Sequence, residues 1–174
     1  MEVAVLLKSK LVLFAIALAF VAPIEARAEG AESGTDFSMF VGYMLPNQID
    51  GVTEVFPLFG GRYAFAIPGG AVEITGENAH ALGIDWTSFG LSLRGEIPVM
   101  TGISGLIYAG PDFHYYTPIN DTQRKPDYGV HVGVAALMLV SETLWLRSDL
   151  KFNGNPGTSM SLLFGFMFRS APGG

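Results

Sequence analysis

Apolar and polar residues alternate along the last two strand-like runs of the chain. In residues 159–168 (SMSLLFGFMF), every even position is large and apolar, whereas the odd positions are small or mixed. In residues 143–152 (TLWLRSDLKF), one face is almost wholly apolar and the other carries a tryptophan and three charged residues. A period of two predicts β-strands whose two faces meet different surroundings.

The same alternation recurs about eight times after residue 36, and turn-forming residues separate the runs. Most prolines lie at or between the ends of the runs, as expected of a residue that cannot donate to a strand ladder. Pro111 lies inside the fifth run and predicts a bulge or bend there. The predicted strands are 37–45, 57–67, 70–76, 85–97, 103–116, 128–140, 143–152 and 159–168.

The first 28 residues have the anatomy of a secretory signal peptide. Lys8 and Lys10 precede the apolar run 11–22, and residues 26–28 (ARA) supply a small-x-small cleavage pattern. The apolar run is too short to span a bilayer as a helix, which takes about 20 residues. We therefore predict four segments: a signal peptide (1–28), a flexible lead (29–36), a β-barrel (37–168) and a C-terminal tail (169–174).

Composition excludes some classes of function. The net charge is −6, and an acidic chain offers no basic patch to neutralise the phosphates of a nucleic acid. The chain contains no cysteine, so an exported protein of this sequence has no disulfides to stabilise it. No sequence motif for a cofactor is present, and none is predicted.

Eight charged residues within the predicted strands avoid the apolar face. On the lipid-facing side of a membrane barrel, each would cost about 2–4 kcal/mol at mid-membrane. An eight-stranded barrel is only wide enough for its own side chains, so charges inside it must pair with one another. This predicts a lumen filled by an ion-pair network and not an open pore. The predicted network is Arg62, Glu73, Arg94, Glu96, Asp112, Arg147, Asp149 and Lys151.

A soluble ligand-binding barrel would also alternate, with its apolar face turned inward. The sizes of the side chains favour the membrane alternative. The apolar face carries the larger residues, which would crowd a narrow interior, and the charged face is rich in glycine and alanine.

Taken together, these patterns resemble the small eight-stranded bacterial outer-membrane proteins of the OmpA/OmpX type. The final strand is similar to that family's assembly signal, carried here by Phe164, Phe166 and Phe168. Gly165 lies later than in the usual family pattern, and residues 169–174 follow the closing aromatic. The resemblance implies an all-β, antiparallel up-and-down transmembrane barrel in the outer membrane. It also implies contact with membrane lipid and lipopolysaccharide, insertion by the barrel assembly machinery, and a monomeric state.

The three histidines are the candidates for chemistry. His80 is predicted to lie in a solvated loop, whereas His114 and His131 face the lumen and are predicted to lie across from each other near Asp112. Two imidazoles and a carboxylate form either a polar pair at the lumen mouth or a metal site. No Ser–His–acid set has a plausible spacing, so no catalytic residue is predicted.

The favoured function is an integral outer-membrane protein with a structural or surface-interaction role. The alternatives are a lipid A-modifying enzyme built on the same barrel and a secreted, soluble ligand-binding barrel.

Overall fold

The computed structural model is a closed barrel of eight antiparallel strands, each hydrogen-bonded to its neighbours in sequence, with β8 pairing β1. It describes residues 34–49, 52–81, 84–117, 125–155 and 157–170. The predicted signal peptide and the other predicted residues beyond these ranges lie outside this description. The strands are β1 (Thr35–Asn47), β2 (Phe56–Ile67), β3 (Gly70–Ala81), β4 (Ile84–Met100), β5 (Ile103–Thr117), β6 (Lys125–Leu139), β7 (Leu144–Asn153) and β8 (Thr158–Arg169).

The prediction of an all-β, eight-stranded antiparallel barrel is confirmed, with differences at strand ends. β3 continues to Ala81, five residues past its predicted end, because its alternation persists. Glu77 points inward and pairs with Ser88 in the ladder, while His80 points outward. His80 is therefore a strand residue and not a loop residue as predicted. β1 begins at Thr35, two residues earlier than predicted.

The ladder stays in register across Pro111. The β4–β5 pairing runs from Gly90↔Asp112 to Leu93↔Ala109 without a slip. The predicted bulge is therefore wrong, because a proline can remove one ladder hydrogen bond without adding a residue to the strand. The register shifts instead between Pro98 and Met100, near the β4–β5 turn.

The stagger of the strands sets the width of the barrel. The pairing can be followed from strand to strand once around the barrel. Starting at Thr35, it passes through Phe65, Val72 and the later strands and returns to β1 at Leu45, ten residues further along. With eight strands, this stagger tilts them by about 40° to the barrel axis. A barrel of this size encloses only its own side chains.

The alternation divides the side chains cleanly between exterior and interior. Phe166 and Leu146 lie on the exterior, with 49% and 36% of their surface exposed. Asp149 lies inside and is 1% exposed. The exterior of every strand is mostly apolar, as the exposed side chains of Val41, Phe59, Ile74, Leu91, Tyr115, Val134, Phe152 and Phe164 illustrate.

The connections at one end of the barrel are all short, whereas two of the four at the other end are longer. The β2–β3, β4–β5 and β6–β7 turns share one end with Thr35 and Arg169, which we call the terminus end. At the other end, the loop end, the β1–β2 connection folds back into the barrel mouth, where Ile49 and Val52 form an isolated bridge. No helix in the described ranges is long and apolar enough to cross a membrane.

Candidate functional site in the barrel interior

One continuous set of ion pairs fills the interior towards the terminus end. Its eight members occupy inward positions on six of the strands, so the alternation of each strand delivers charge to the same volume. We call this set the arginine network, and its members are Asp36, Arg62, Glu73, Arg94, Glu96, Arg147, Asp149 and Arg169.

Glu73 is the centre of the arginine network. Its carboxylate accepts hydrogen bonds from Arg147 Nη1 at 2.7 Å and from Arg94 Nη1 at 2.9 Å, and Arg62 Nε lies 3.6 Å away. Arg147 also donates to Asp149 at 2.9 Å, and Asp149 in turn accepts from Arg62 at 3.0 Å. A carboxylate with three guanidinium neighbours is compensated for its loss of water, as a buried ion requires.

Aromatic rings cover the guanidinium planes that the carboxylates leave open. The Arg62 guanidinium lies 4.2 Å from the centre of the Phe40 ring, and that of Arg147 lies 5.5 Å from the centre of Tyr108. These are cation–π distances, and the attraction grows when the cation is removed from water.

The network reaches the terminus end through Arg169. This guanidinium donates to Asp36 at 3.1 Å and to Glu96 at 2.8 Å, and Asp36 also pairs with Arg94. Arg169 therefore joins the end of β8 to the start of β1 and to β4. Its side chain keeps part of its surface in contact with solvent, as does that of Glu96.

A second polar group, the lysine cluster, lies nearer the loop end. Lys151 Nζ is buried between two carboxylates, 3.1 Å from Glu77 Oε1 and 3.6 Å from Asp112 Oδ1. His131 Nδ1 lies 2.9 Å from Asp112 Oδ2, and His131 Nε2 lies 2.7 Å from Ser92 Oγ. We define the lysine cluster as Glu77, Ser92, Asp112, His114, His131 and Lys151.

The two inward histidines approach the same carboxylate from different positions. They do not lie across from each other as predicted, because the ladder pairs His131 with Gly110 and His114 with Asp127. His114 Nε2 is 3.9 Å from Asp112, and its ring packs against Trp86 at 5.1 Å between ring centres. No three metal-binding side chains among the described residues are arranged to hold a metal ion.

The structure also brings together Ser92, His131 and Asp112, although they are widely separated in sequence. The expectation that no Ser–His–acid set exists is therefore wrong, because His131 lies within contact distance of both Ser92 and Asp112. β4, β5 and β6 are adjacent, and Gly90 leaves room for the carboxylate, since a Cβ there would lie 2.5 Å from Asp112 Oδ1. All three residues are at most 3% exposed, so the set has no contact with solvent.

Apolar side chains also pack inside the barrel towards both ends. At the loop end, Ile49 and Val52 pack with Phe56, Trp86 and Tyr116, and all five are at most 4% exposed. At the terminus end, a smaller cluster packs beside the arginine network. Its members are Leu106, Tyr108, Ala135, Leu137 and Met167, with Trp145 against them.

Comparison of the whole structure with solved structures identifies the fold. The N-terminal β-barrel domain of Pseudomonas aeruginosa OprF is 14% identical and superimposes with a TM-score of 0.61, covering 82% of this chain and 100% of that one. Neisserial surface protein A is 9% identical with a TM-score of 0.60, covering 81% and 99%. Ail, the attachment invasion locus protein of Yersinia pestis, is 12% identical with a TM-score of 0.50, covering 82% and 100%.

The fold is that of a small eight-stranded outer-membrane barrel. At these identities the likeness concerns the fold alone. No protein-family model matches the chain, and no curated protein sequence matches it.

Sequence reasoning missed three members of the small barrel's interior. Asp36 belongs to the predicted flexible lead, Glu77 to a predicted loop and Arg169 to the predicted tail, yet all three make ion pairs inside. Their signal is parity. Asp36 is in phase with Ser38, Glu77 with Glu73, and Arg169 with Met167, so continuing each alternation by one or two steps finds them.

The three aromatic residues of the assembly-signal resemblance lie on the exterior. Phe164, Phe166 and Phe168 are 52%, 49% and 44% exposed on β8, which closes the barrel against β1. Gly165 lies between them on the inner face, opposite Phe40 of β1.

Proposed function

We propose that this protein is an integral outer-membrane protein that spans the bilayer as a closed barrel and has a structural or surface-interaction role. The observation that carries the proposal is the division of side chains between an apolar exterior and an ionised interior. In water, such an exterior would expose a continuous apolar surface far larger than soluble monomers carry.

The height of the apolar exterior supports a membrane location. On β1 it runs from Phe37 to Leu45, and on β4 it reaches from Phe89 to Ile97. Eight residue steps on strands tilted by about 40° span about 20 Å along the axis, close to the height of roughly 25 Å of the lipid-facing band in outer-membrane barrels. Aromatic residues such as Tyr43 and Tyr63 lie towards its two borders, where interfacial girdles occur.

The pattern of connections supports an orientation. Outer-membrane barrels have short turns and both chain ends on the periplasmic side and longer loops outside. The terminus end is therefore proposed to face the periplasm, and the loop end to face the outside. The predicted signal peptide and the exterior phenylalanines of β8 support export and insertion by the barrel assembly machinery.

The packing of the interior supports a structural role over a channel. The arginine network, the lysine cluster and the apolar cap at Ile49 and Val52 occupy successive levels of the lumen. These buried groups together hold all eight strands in one register, since a shift of one strand would leave a buried charge without its partner. The part of the barrel available for a surface contact is the loop end. Its described rim carries Glu54, Asp127 and the exposed Tyr128.

The enzyme alternative has one observation in its favour, the Ser92–His131–Asp112 contacts. A hydrolase also needs a path for substrate and donors for the oxyanion. Because the three side chains are buried inside the closed barrel, we assign them to the structure. Incubation with a fluorophosphonate probe and peptide mass spectrometry tests this: we expect no adduct on Ser92, and an adduct absent from His131→Ala would reinstate the enzyme.

Expression of the full chain in a Gram-negative host tests the proposed location. We expect the processed protein in the outer-membrane fraction, resistant to extraction by urea, and accessible to external protease only at the loop end. Phe168→Ala serves as an assembly variant and is expected to lower the inserted amount. Recovery of folded protein in the soluble periplasm would contradict the proposal and favour the secreted barrel.

A strain lacking the protein separates the two roles. If the barrel is structural, both the wild type and the rim variant Tyr128→Ser restore resistance to detergent. If the rim makes a surface contact, the wild type and Tyr128→Ser restore detergent resistance equally, but only the wild type restores attachment to the surface. Restoration of neither property by the inserted wild type would contradict both roles.

A further inference from the structure

One side of the terminus end carries an apolar extension below the main exterior band. Val99 and Met100 at the end of β4 are 62% and 63% exposed. Leu139 and Val140, at the end of β6 and in the turn after it, are 40% and 53% exposed. We call these four residues the apolar lip.

The shape of the chain creates the apolar lip. The register shift between Pro98 and Met100 adds a residue to β4, which interrupts the alternation and leaves four consecutive residues, from Ile97 to Met100, exposed. The two halves are held together across β5, because Met100 pairs with Ile103 and Ile103 pairs with Met138. Leu139 N also donates to Gly102 O at 2.8 Å.

The opposite side of the same end has a different chemistry. There the exterior band stops at Phe37 on β1, at Phe168 on β8 and at Ile67 on β2, next to the β2–β3 turn. The β2–β3 turn is uncharged, as are the segments 97–103 (IPVMTGI) and 138–141 (MLVS). Among the described residues, however, only the latter two segments carry exposed large apolar residues at consecutive positions, Val99 with Met100 and Met138 through Val140. The apolar border is therefore uneven around the barrel and lies lower on the β4–β6 side.

We propose that the apolar lip is a lipid contact that inserts into the inner leaflet of the same membrane. This inference rests on the proposed function. The occupant is phospholipid because the lip continues the lipid-facing band through Ile97, Ile103 and Met138 without a polar break. A longer apolar border on one side is accommodated by tilt or by local thickening of the bilayer, so the barrel is held tilted towards its β4–β6 side.

Single-cysteine labelling tests the lip, and the absence of native cysteine makes each label unique. The variants are Val99→Cys in the lip, Leu93→Cys in the middle of the band, and Pro68→Cys in the exposed turn on another side of the same end. Each carries an environment-sensitive fluorophore in phosphatidylcholine vesicles, with a spin-labelled lipid and an aqueous ion as alternative quenchers.

We expect the Leu93 and Val99 labels to be quenched by lipid and the Pro68 label by the aqueous ion, with a several-fold difference between Val99 and Pro68. A Val99 label that behaves like Pro68, while Leu93 stays in lipid, overturns the lip and leaves the membrane proposal standing. An aqueous Leu93 label overturns the membrane proposal itself. Shielding of Val99 that disappears when the protein is diluted in lipid identifies a second copy and also overturns the inference.

Discussion

At the scale of single residues, the interior works because almost every charge has an opposite neighbour. The eight ionic residues predicted from the sequence all lie inward. The tight β2–β3 turn is enough to predict the nearness of Arg62 and Glu73, whereas the contacts across the lumen could not be predicted. Arg62 contacts Asp149 across the lumen as well as Glu73 on the next strand. Sequence parity says which face a residue occupies, whereas contact across a lumen depends on the stagger of all eight strands.

Arg147 contacts both buried carboxylates at the centre of the arginine network. Arg147→Leu removes the bonds to Glu73 and Asp149, and breaking a buried pair costs about 3–5 kcal/mol. The free energy of unfolding in urea, with the protein in detergent micelles, measures the effect. Glu142→Gln in the exposed β6–β7 turn is the control and is expected to change little. An Arg147→Leu variant as stable as this control would contradict burial of the network.

Gly133 is required by a neighbouring ring. It faces inward opposite Tyr108, and a Cβ added there would overlap the Tyr108 ring. We expect Gly133→Ala to destabilise the fold by about 1–3 kcal/mol through overpacking. Gly105→Ala is the matched control on β5, since its added Cβ would meet no atom closer than 3.9 Å. Equal urea midpoints for the two variants would contradict the packing described for Tyr108.

At the scale of strands, the sequence was sufficient for number, order and face, and insufficient for ends. All eight predicted runs are strands. The alternation is a local property, because each residue of a strand faces either the lipid or the interior and its polarity matches that side. The predicted β3 ends too early, because the prediction places Glu77 in a loop. Charge signals a loop only when the residue is solvated, and Lys151 supplies Glu77 with a buried partner on β7.

The exterior face of β8 tests the assignment of faces to a whole strand. Phe166→Arg places a cation in the outward band and is expected to cost about 2–4 kcal/mol in a bilayer. Refolding yield into vesicles at rising urea concentration measures it, with Phe166→Leu as the apolar control. If the arginine variant folds as readily as the leucine variant, Phe166 does not face lipid.

At the scale of the molecule, the interior holds two groups of charged side chains and, at the loop end, an apolar cluster. Eight strands leave room for little else, so this much followed from strand count. The part of the closure supplied by Ile49 and Val52 could not be predicted, because they belong to a connection that turns back into the mouth.

The closed lumen predicts no steady conductance. In planar bilayers containing the refolded protein, we expect the current to stay at the level of protein-free membranes, because the arginine network spans the cross-section. Arg147→Ala is expected to remain closed as well, since the apolar cap at the loop end is independent of it. Reproducible unitary steps in the wild type would contradict this arrangement.

The apolar exterior of the barrel requires lipid for folding, and gel mobility after refolding tests this most directly. The denatured chain is diluted into buffer alone and into buffer with lipid vesicles, and unboiled and boiled samples are compared by electrophoresis. We expect a band of altered mobility in the unboiled sample only when vesicles are present, and we expect that band to disappear on boiling. A folded species of altered mobility formed in buffer without lipid or detergent would contradict this expectation.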